Sequence, residues 1–485
     1  MLLSKIFKNS KVKVSKDIEI KGITSDSRKV EEGYLFIAIS GFEMDGHKFI
    51  DSAIEKGAKA ILINEDRFDE FKDRNVVILT SANTRFEMGN IACNFYNNPS
   101  KEFKLIGITG TKGKTTTSFM VKKILEEAGH KVGLVGTVAT YIGKTKLYDA
   151  ERTTPEALEL QSLFRKMADE ECEYVVMEVS SQSLKLGRVD GCNFYLGAFT
   201  NLSEDHISKN EHPDMEDYFS CKCKLFDMTK TGIVNIDDVK GLELIKRKPN
   251  VDYTTYSINS DSDKKAYNIS ITNLLTTFNV KINNAEELVK ISIPGNFTVY
   301  NALCAISISE KLGIETKYIL SGLKKVRVPG RSELVDNKLN IPIMIDYAHS
   351  PESLKNILLA VKSYTKGRVI SLFGCGGDRD TNKRPIMARI SGEIADYTII
   401  TSDNPRTEDP EAIVKDVEKG IIGVTSNYEV IVDRKEAIKR AIEIATPDDI
   451  VVLAGKGHEN YQVIGHEKIH FDEKEIIDEI MNEIS

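Results

Sequence analysis

An excess of positive charge is missing from this 485-residue chain: Lys and Arg number 66 against 73 Asp and Glu, a formal net charge of −7. A surface without surplus cations does not neutralise a phosphate backbone, so nucleic acid is excluded as the main ligand. Long apolar runs are missing as well. Lys5, Lys8 and Lys11 interrupt the first residues before a signal-peptide core forms, and no later stretch reaches the roughly eighteen uncharged apolar residues of a membrane span. A cytoplasmic chain with no membrane insertion is expected. Cysteine is sparse and odd in number, seven from Cys93 to Cys375, with no Cys-x-x-Cys pair. These read as structural or incidental residues in a reducing compartment, not as a disulfide framework or a zinc knuckle. Short repeats, low-complexity tracts and flexible linkers are absent too.

What is present is an ordinary globular composition, 41% apolar and 29% charged, far from the composition of disordered chains. At about 150 residues per domain, the length allows about three domains. Up to residue 100, short strands alternate with helices: GYLFIAI (33–39) is strand-like, HKFIDSAIEKGA (47–58) has helical period and KAILIN (59–64) returns to strand. From Phe103 a second run begins with the apolar strand FKLIGIT, a glycine-bearing loop and a helix that places Phe119, Ile124 and Leu125 toward a core. Further apolar strands follow at 174–179, 196–200 and 232–236, the pattern of a buried parallel sheet. Pro329-Gly330 punctuates the chain, and five strands alternating with helices then describe a doubly wound fold. No Gly-x-Gly-x-x-Gly follows those strands, so a dinucleotide is not the expected ligand.

The strongest local signal is Gly110-Thr111-Lys112-Gly113-Lys114-Thr115-Thr116, which follows a strand and opens a helix. Backbone N–H groups and a helix N-terminus hold phosphate in this context. Only two residues separate Gly110 from the Gly113-Lys114 pair, a shortened form of the common four-residue spacing. Lys114 would reach the β and γ phosphates as a point charge, and Thr115 would offer a hydroxyl to Mg²⁺. A magnesium ion also needs hard ligands near the strand ends, where Glu178 closes YVVME and His206 follows TNLSED.

ITGTKGKTT, MEVSSQSL, TNLSEDH, IPGNFTVYNAL, VPGRSE, IDYAHSPESL, FGCGGDRDTNKRPIM, TSDNPRTEDP and AGKGHENYQVIG occur in this order across nearly the whole chain. Together they resemble the Mur ligase family. The resemblance implies three α/β domains: 1–102 for a UDP-sugar, 103–328 as a central P-loop ATPase with a mostly parallel sheet, and 329–485 as a Rossmann-like, doubly wound domain for an amino acid. It implies ATP-dependent amide formation in peptidoglycan biosynthesis, by a monomer. The γ-carboxylate of the D-Glu in a UDP-N-acetylmuramoyl dipeptide would attack ATP to give an acyl phosphate, which the amine of meso-diaminopimelate would then open.

Residue roles follow from the same resemblance. Thr115, Glu178, His206 and Lys222, the last as a carbamate, would hold Mg²⁺. By itself Lys222 reads as a surface helix lysine. Phe297, Asn301, Arg331, Asp346 and His349 match residues on the ATP side. Ser27, the loop from Gly41 to His47, Thr153, Thr154, Ser180 and Arg188 match UDP-sugar contacts, although without the resemblance the hydroxyl residues read as turn and cap chemistry. Arg379, Asp403, Asn404, Pro405, Arg406, Gly455 and Glu459 match the diaminopimelate signature, with the two arginines for carboxylates and Glu459 for an ammonium.

Three departures from the family pattern stand out. Gln182 replaces a frequent His, Leu186 stands where several members carry a polar substrate contact, and the segment between His206 and Met215 is two residues longer. His212 is therefore left out of the site. Readings that compete are an L-lysine-adding ligase, a folylpolyglutamate synthetase, a D-Ala-D-Ala-adding ligase and an ATP-switched binding protein. GGDRD, DNPR and GKGHE together disfavour the second and third.

Overall fold

The computed structural model describes residues 1–41, 44–150, 152–204, 207–208, 211–272 and 274–484. These fall into two compact units, one of residues 1–264 and 304–318 and the other of residues 265–303 and 319–485.

The first unit begins with four parallel strands paired in chain order, Gly22–Thr24, Tyr34–Ile37, Ala60–Asn64 and Val77–Ser81. The helical period expected over 47–58 yields a 3₁₀ turn, Gly46–Phe49, and a helix, Ile50–Glu55. Gly57 stops it at φ +99°, a conformation that costs residues with a Cβ. Leu35, Ile37 and Leu62 on the sheet meet Leu3, Ile6 and Ile91 in one core.

A larger sheet follows in the same unit. Its main strands lie in the order Asp252–Ser257, Thr231–Asn235, Phe194–Phe199, Lys104–Thr109, Tyr174–Glu178 and Val132–Val135, all parallel. Ala139–Ile142 and Thr145–Asp149 add an antiparallel edge. That edge was not legible in the sequence, because Thr145–Asp149 is largely exposed on both faces and lacks apolar alternation. The helix Lys114–Glu127 buries Met120, Val121, Ile124 and Leu125. Phe119, expected in the core, is instead half-buried and meets Tyr141 edge-on with ring centroids 5.9 Å apart.

The second unit carries a three-stranded antiparallel sheet that sequence reading missed: Tyr267–Ile271, Thr276–Ile282 and Ala285–Ile291. Its signal was present. Thr276–Ile282 alternates buried Phe278, Val280 and Ile282 with outward residues, and Asn283-Asn284, both at positive φ, closes a two-residue hairpin. The unit's main sheet runs Glu333–Val335, Ile343–Asp346, Ile450–Ala454, Val369–Cys375, Tyr397–Ser402 and Tyr428–Val430, with only the first pairing antiparallel. Val369, Phe373 and Val452 point to a core shared with Leu358, Met387 and Val414. Ile370, Leu372 and Val451 point to the other, with Ile438 and Ile477. Helices therefore cover both faces, the doubly wound arrangement expected. Among the described residues, no helix is long and apolar enough to cross a membrane, and all seven cysteines are free and buried.

Candidate active site

The strand Lys104–Thr109 lies in the middle of the large sheet, so residues from both neighbouring strand ends converge on the loop that follows it. Gly110 takes φ +147° and Gly113 φ +86°. A Cβ on Gly110 would stand 1.9 Å from Thr200 Oγ1, so only glycine lets the loop lie against that strand end. Thr200 Oγ1 donates to Lys112 O at 2.7 Å, and Asn201 accepts from the Lys112 N–H and returns an amide hydrogen bond to Lys112 O. Lys114 Nζ donates to the carbonyls of Gly110 and Thr111 at 2.9 and 3.0 Å. The loop is thereby held open-ended at a helix N-terminus, the geometry that suits an anion.

Glu178, at the end of the adjacent strand, is 1% exposed. Its Oε2 accepts from Thr115 Oγ1 and Thr137 Oγ1, and its Oε1 from the Thr137 N–H, each at 2.9 Å. Thr137 was not singled out by sequence reading, since nothing local marks it. His206 lies outside the described residues.

Lys222 corrects the local reading of a surface lysine: it is 1% exposed, and its Nζ donates to Gly110 O at 2.9 Å. It rides on the helix Met215–Cys223, capped by Asp214, whose Tyr218 hydroxyl lies 3.2 Å from Thr111 Oγ1. His212, left out of the site on sequence grounds, is fully buried against the same helix. Its Nδ1 lies 2.6 Å from Asp217 Oδ2 and its Nε2 2.9 Å from Ser181 Oγ. Burial lowers the pKa of the ring, with Asp217 opposing. Burial pushes the Asp217 carboxyl up, but Lys185 and His212 outweigh it and hold it below the usual range. Two extra residues after His206 obscured His212 in the sequence.

Thr153, Thr154, Ser180 and Arg188 gather beside Glu178. Thr153 Oγ1 lies 3.1 Å from Thr137 Oγ1, while Thr154 Oγ1 donates to Glu178 O and accepts from the Ser180 N–H. Arg188, 7% exposed, donates to Thr154 O and ion-pairs with Glu156 at 2.8 Å. Its pKa is lowered by burial, with Glu156 opposing. Ser27 opens the 3₁₀ turn capped by Asp26, and Gly41 donates its N–H to Met44 O. Within the expected Gly41-to-His47 loop, Phe42 and Glu43 lie outside the described residues. His47 is buried with both ring nitrogens engaged, by Asp45 Oδ1 at 2.7 Å and the Asn64 N–H at 3.1 Å. It acts as a buried brace for the loop.

The phosphate loop belongs to the first unit, while Phe297, Asn301, Arg331, Asp346 and His349 belong to the second. Phe297 and Asn301 are one turn apart on the helix Asn296–Lys311. The Arg331 guanidinium lies 4.8 Å from the centre of the Tyr347 ring. Asp346 accepts from the Ser332 N–H at 2.7 Å; burial raises its pKa, with Arg331 opposing. His349 donates from Nδ1 to Tyr347 O at 2.9 Å.

At the carboxyl ends of two strands of the doubly wound sheet, Asp403-Asn404-Pro405-Arg406 meets Gly455 and Glu459. Asn404 Nδ2 donates to Glu459 Oε2 at 2.9 Å. Arg406 sits at φ +53°, with its N–H on Val463 O and its Nη1 on Gly377 O at 2.8 Å. Gly377 has no room for a side chain: a Cβ would stand 1.9 Å from Pro405 O. Gly455, at φ +113°, lets Asp403 approach, since a Cβ would stand 2.9 Å from Asp403 Oδ2. Arg379 lies beside Arg406, since a Cβ on Gly376 would stand 2.8 Å from Arg406 Nη1 and 3.9 Å from Arg379 Cγ, and its own Nη1 donates to the carbonyl of its neighbour Asp378 at 3.3 Å. Open α/β sheets bind ligands at such strand ends.

Comparison with known proteins gives three family matches along the chain: the Mur ligase family catalytic domain over residues 19–96, the Mur ligase middle domain over 108–309, and the Mur ligase glutamate ligase domain over 330–457. UDP-N-acetylmuramoyl-L-alanyl-D-glutamate--2,6-diaminopimelate ligase 1 of Clostridium acetobutylicum is 47% identical over 96% of both chains. A solved structure of a ligase of the same name is 30% identical, covers 96% of this chain and 95% of its own, and superposes with a TM-score of 0.71. The MurF ligase of Thermotoga maritima, solved in complex with ADP, shares the fold at 16% identity and a TM-score of 0.60, covering 95% of this chain and 97% of its own.

Proposed function

The chain belongs to the Mur ligase family, and from that premise we propose that it joins meso-diaminopimelate to UDP-N-acetylmuramoyl-L-alanyl-D-glutamate at the expense of ATP. The observation that carries the reading is the full-length match to a ligase of that name, 47% identical over 96% of each chain.

The physical problem is to bring a carboxylate against a triphosphate, two anions that repel. Residues 110–116 cradle the phosphates, and Lys114 supplies the charge that steadies the transferring phosphoryl group. A magnesium ion suits the donors present: a buried carboxylate, Glu178, within hydrogen-bond reach of the Thr115 and Thr137 hydroxyls, all hard oxygen ligands. When bound, it neutralises charge developing on the phosphate oxygens. Lys222 as an ammonium can only donate, whereas as a carbamate it adds an anionic oxygen ligand beside the loop; His206 completes the proposed set. Phe297, Asn301, Arg331, Asp346 and His349 are assigned to ATP. The segment 1–102 with Ser27 and Gly41, whose loop His47 braces from within, together with Thr153, Thr154, Ser180 and Arg188, is assigned to the UDP-sugar dipeptide.

In the third segment, 329–485, Arg379 and Arg406 are assigned to the carboxylates of diaminopimelate, and Asp403 and Glu459 to its ammonium groups. Arg406 is already anchored through Gly377 O, which lowers the entropy cost of gripping a carboxylate. L-Lysine lacks the distal carboxylate and would leave that cation without its partner. A monomeric, cytoplasmic enzyme completes the reading, in keeping with seven free cysteines.

Phosphate release measured with a panel of amino acids tests it. Release is expected only when ATP, the UDP-sugar dipeptide and meso-diaminopimelate are all present, and Arg406→Ala should lose that activity. Preference for L-lysine, or undiminished diaminopimelate use by the variant, would overturn the amino-acid assignment. Release without any amino acid would favour an ATP-driven binding protein.

A further inference from the structure

The Asn404–Glu459 pair is held by Lys456, which lies inside the GKGHE stretch between Gly455 and Glu459 and is a member of that stretch given no role above. Lys456 has no exposed surface. Its Nζ donates to Asn404 Oδ1 at 3.2 Å and lies 3.6 Å from both Asp403 Oδ1 and Glu459 Oε2. The rings of Tyr461 and Phe471 stand 5.8 and 5.9 Å away. A buried ammonium is costly unless its charge and its three N–H groups are matched, and an apolar side chain of similar volume is the less costly filler. Here the charge is matched by two carboxylates and an amide that all belong to one strand-end corner.

Lys456 reinforces, with the Val463 N–H, the way the Asn404 amide points. Asn404 Oδ1 accepts from Lys456 Nζ and from the Val463 N–H at 3.0 Å, which leaves Nδ2 to donate to Glu459 Oε2 at 2.9 Å. Without the lysine, Oδ1 keeps a single donor, and Asp403 and Glu459 lose the cation they share, so their mutual repulsion is no longer offset.

Resting on the amino-acid-adding function above, we propose that Lys456 is a positioning residue of the amino-acid site. It acts through Asn404 and Glu459, fixing the amide orientation of one and the carboxylate of the other so that both meet the incoming amino acid in a single geometry.

Steady-state kinetics of the full chain separate this role from a general structural one. Lys456→Met keeps the length and removes the charge, and Lys456→Gln keeps a donor. Lys456→Met should raise KM for meso-diaminopimelate about ten- to a hundredfold, the scale on which groups behind metal ligands act, and leave KM for ATP and for the UDP-sugar dipeptide unchanged. Lys456→Gln should have a smaller effect of the same kind. Combined with Glu459→Gln, the Lys456→Met effect should be less than additive, because an uncharged partner leaves the lysine less to hold. A parallel rise in all three KM values, a fall in kcat alone, an additive cycle, or failure of both variants to fold would overturn the proposal. If the wild-type enzyme prefers another amino acid, the proposed function falls, and the same split in KM, measured with that amino acid, still decides the role of Lys456.

Discussion

Thr115 Oγ1 donates to Glu178 Oε2 at 2.9 Å although 63 residues separate them in the chain. The contact follows from the sheet. Tyr174–Glu178 pairs with Lys104–Thr109 so that Glu178 lies opposite Ile108, and the helix carrying Thr115 starts just beyond that strand. Gly136 leaves the space: a Cβ there would stand 2.3 Å from Glu178 Oε1. The carboxylate therefore meets the positive end of a helix.

Glu178→Gln keeps the shape and removes the anion. Phosphate release should fall about a hundredfold, the scale of one preorganised charge contact, and the magnesium dependence should move to higher concentration. A magnesium titration that superimposes on the wild type would take Glu178 out of the metal site.

Lys222→Ala should be inactive and partly rescued by a short carboxylic acid in solution if, as proposed, the missing group is a carbamate that serves as an anionic oxygen ligand. Rescue by a small amine would instead support the ammonium, which in this structure already reaches Gly110 O at 2.9 Å.

Two glycines with positive φ should respond differently to alanine. At Gly110 the added Cβ would stand 1.9 Å from Thr200 Oγ1, so Gly110→Ala should lose both ligation and thermal stability. At Gly129, φ +93°, nothing lies within 4 Å. Gly129→Ala should cost only backbone strain, about 1–2 kcal/mol, with turnover unchanged. Equal loss of activity in the two would contradict the loop packing.

Asp45 gives a pH signature. Burial pushes its carboxyl up, but hydrogen bonds from His47 and Arg67 outweigh that and hold it at about 2, below the usual carboxylate range. Its contribution, about 2 kcal/mol by linkage, is present above the unfolded value and is lost as the pH falls through the folded one. Asp45→Asn should therefore melt below the wild type at pH 7, and the gap should narrow between about pH 4 and 2. A gap independent of pH would show that the carboxylate's charge is not what braces the loop.

The phosphate loop was readable because its whole signal is local: strand, two glycines, Lys114, Thr115 and helix occupy adjacent positions, although Thr200 and Asn201, far along the chain, hold its backbone in place. The doubly wound sheet was readable for a similar reason. Strands buried on both faces are continuous apolar runs, and Val369–Cys375 is buried at every residue. The antiparallel sheet carried a hairpin signal in Asn283-Asn284, but its short, half-exposed strands resemble loop.

What the chain's residues alone determined, then, is the set of local units and the family to which they belong. Which side chains those units bring together was decided by strand order. Lys222 reads as a surface lysine from its own neighbours, and becomes buried because its helix docks Tyr218 against Thr111. His212 is buried by Ser181 and Asp217, and Lys456 finds Asp403 and Asn404 across two strand ends. Burial and charge pairing are properties of such distant neighbours, and period and propensity along the chain carry no record of them.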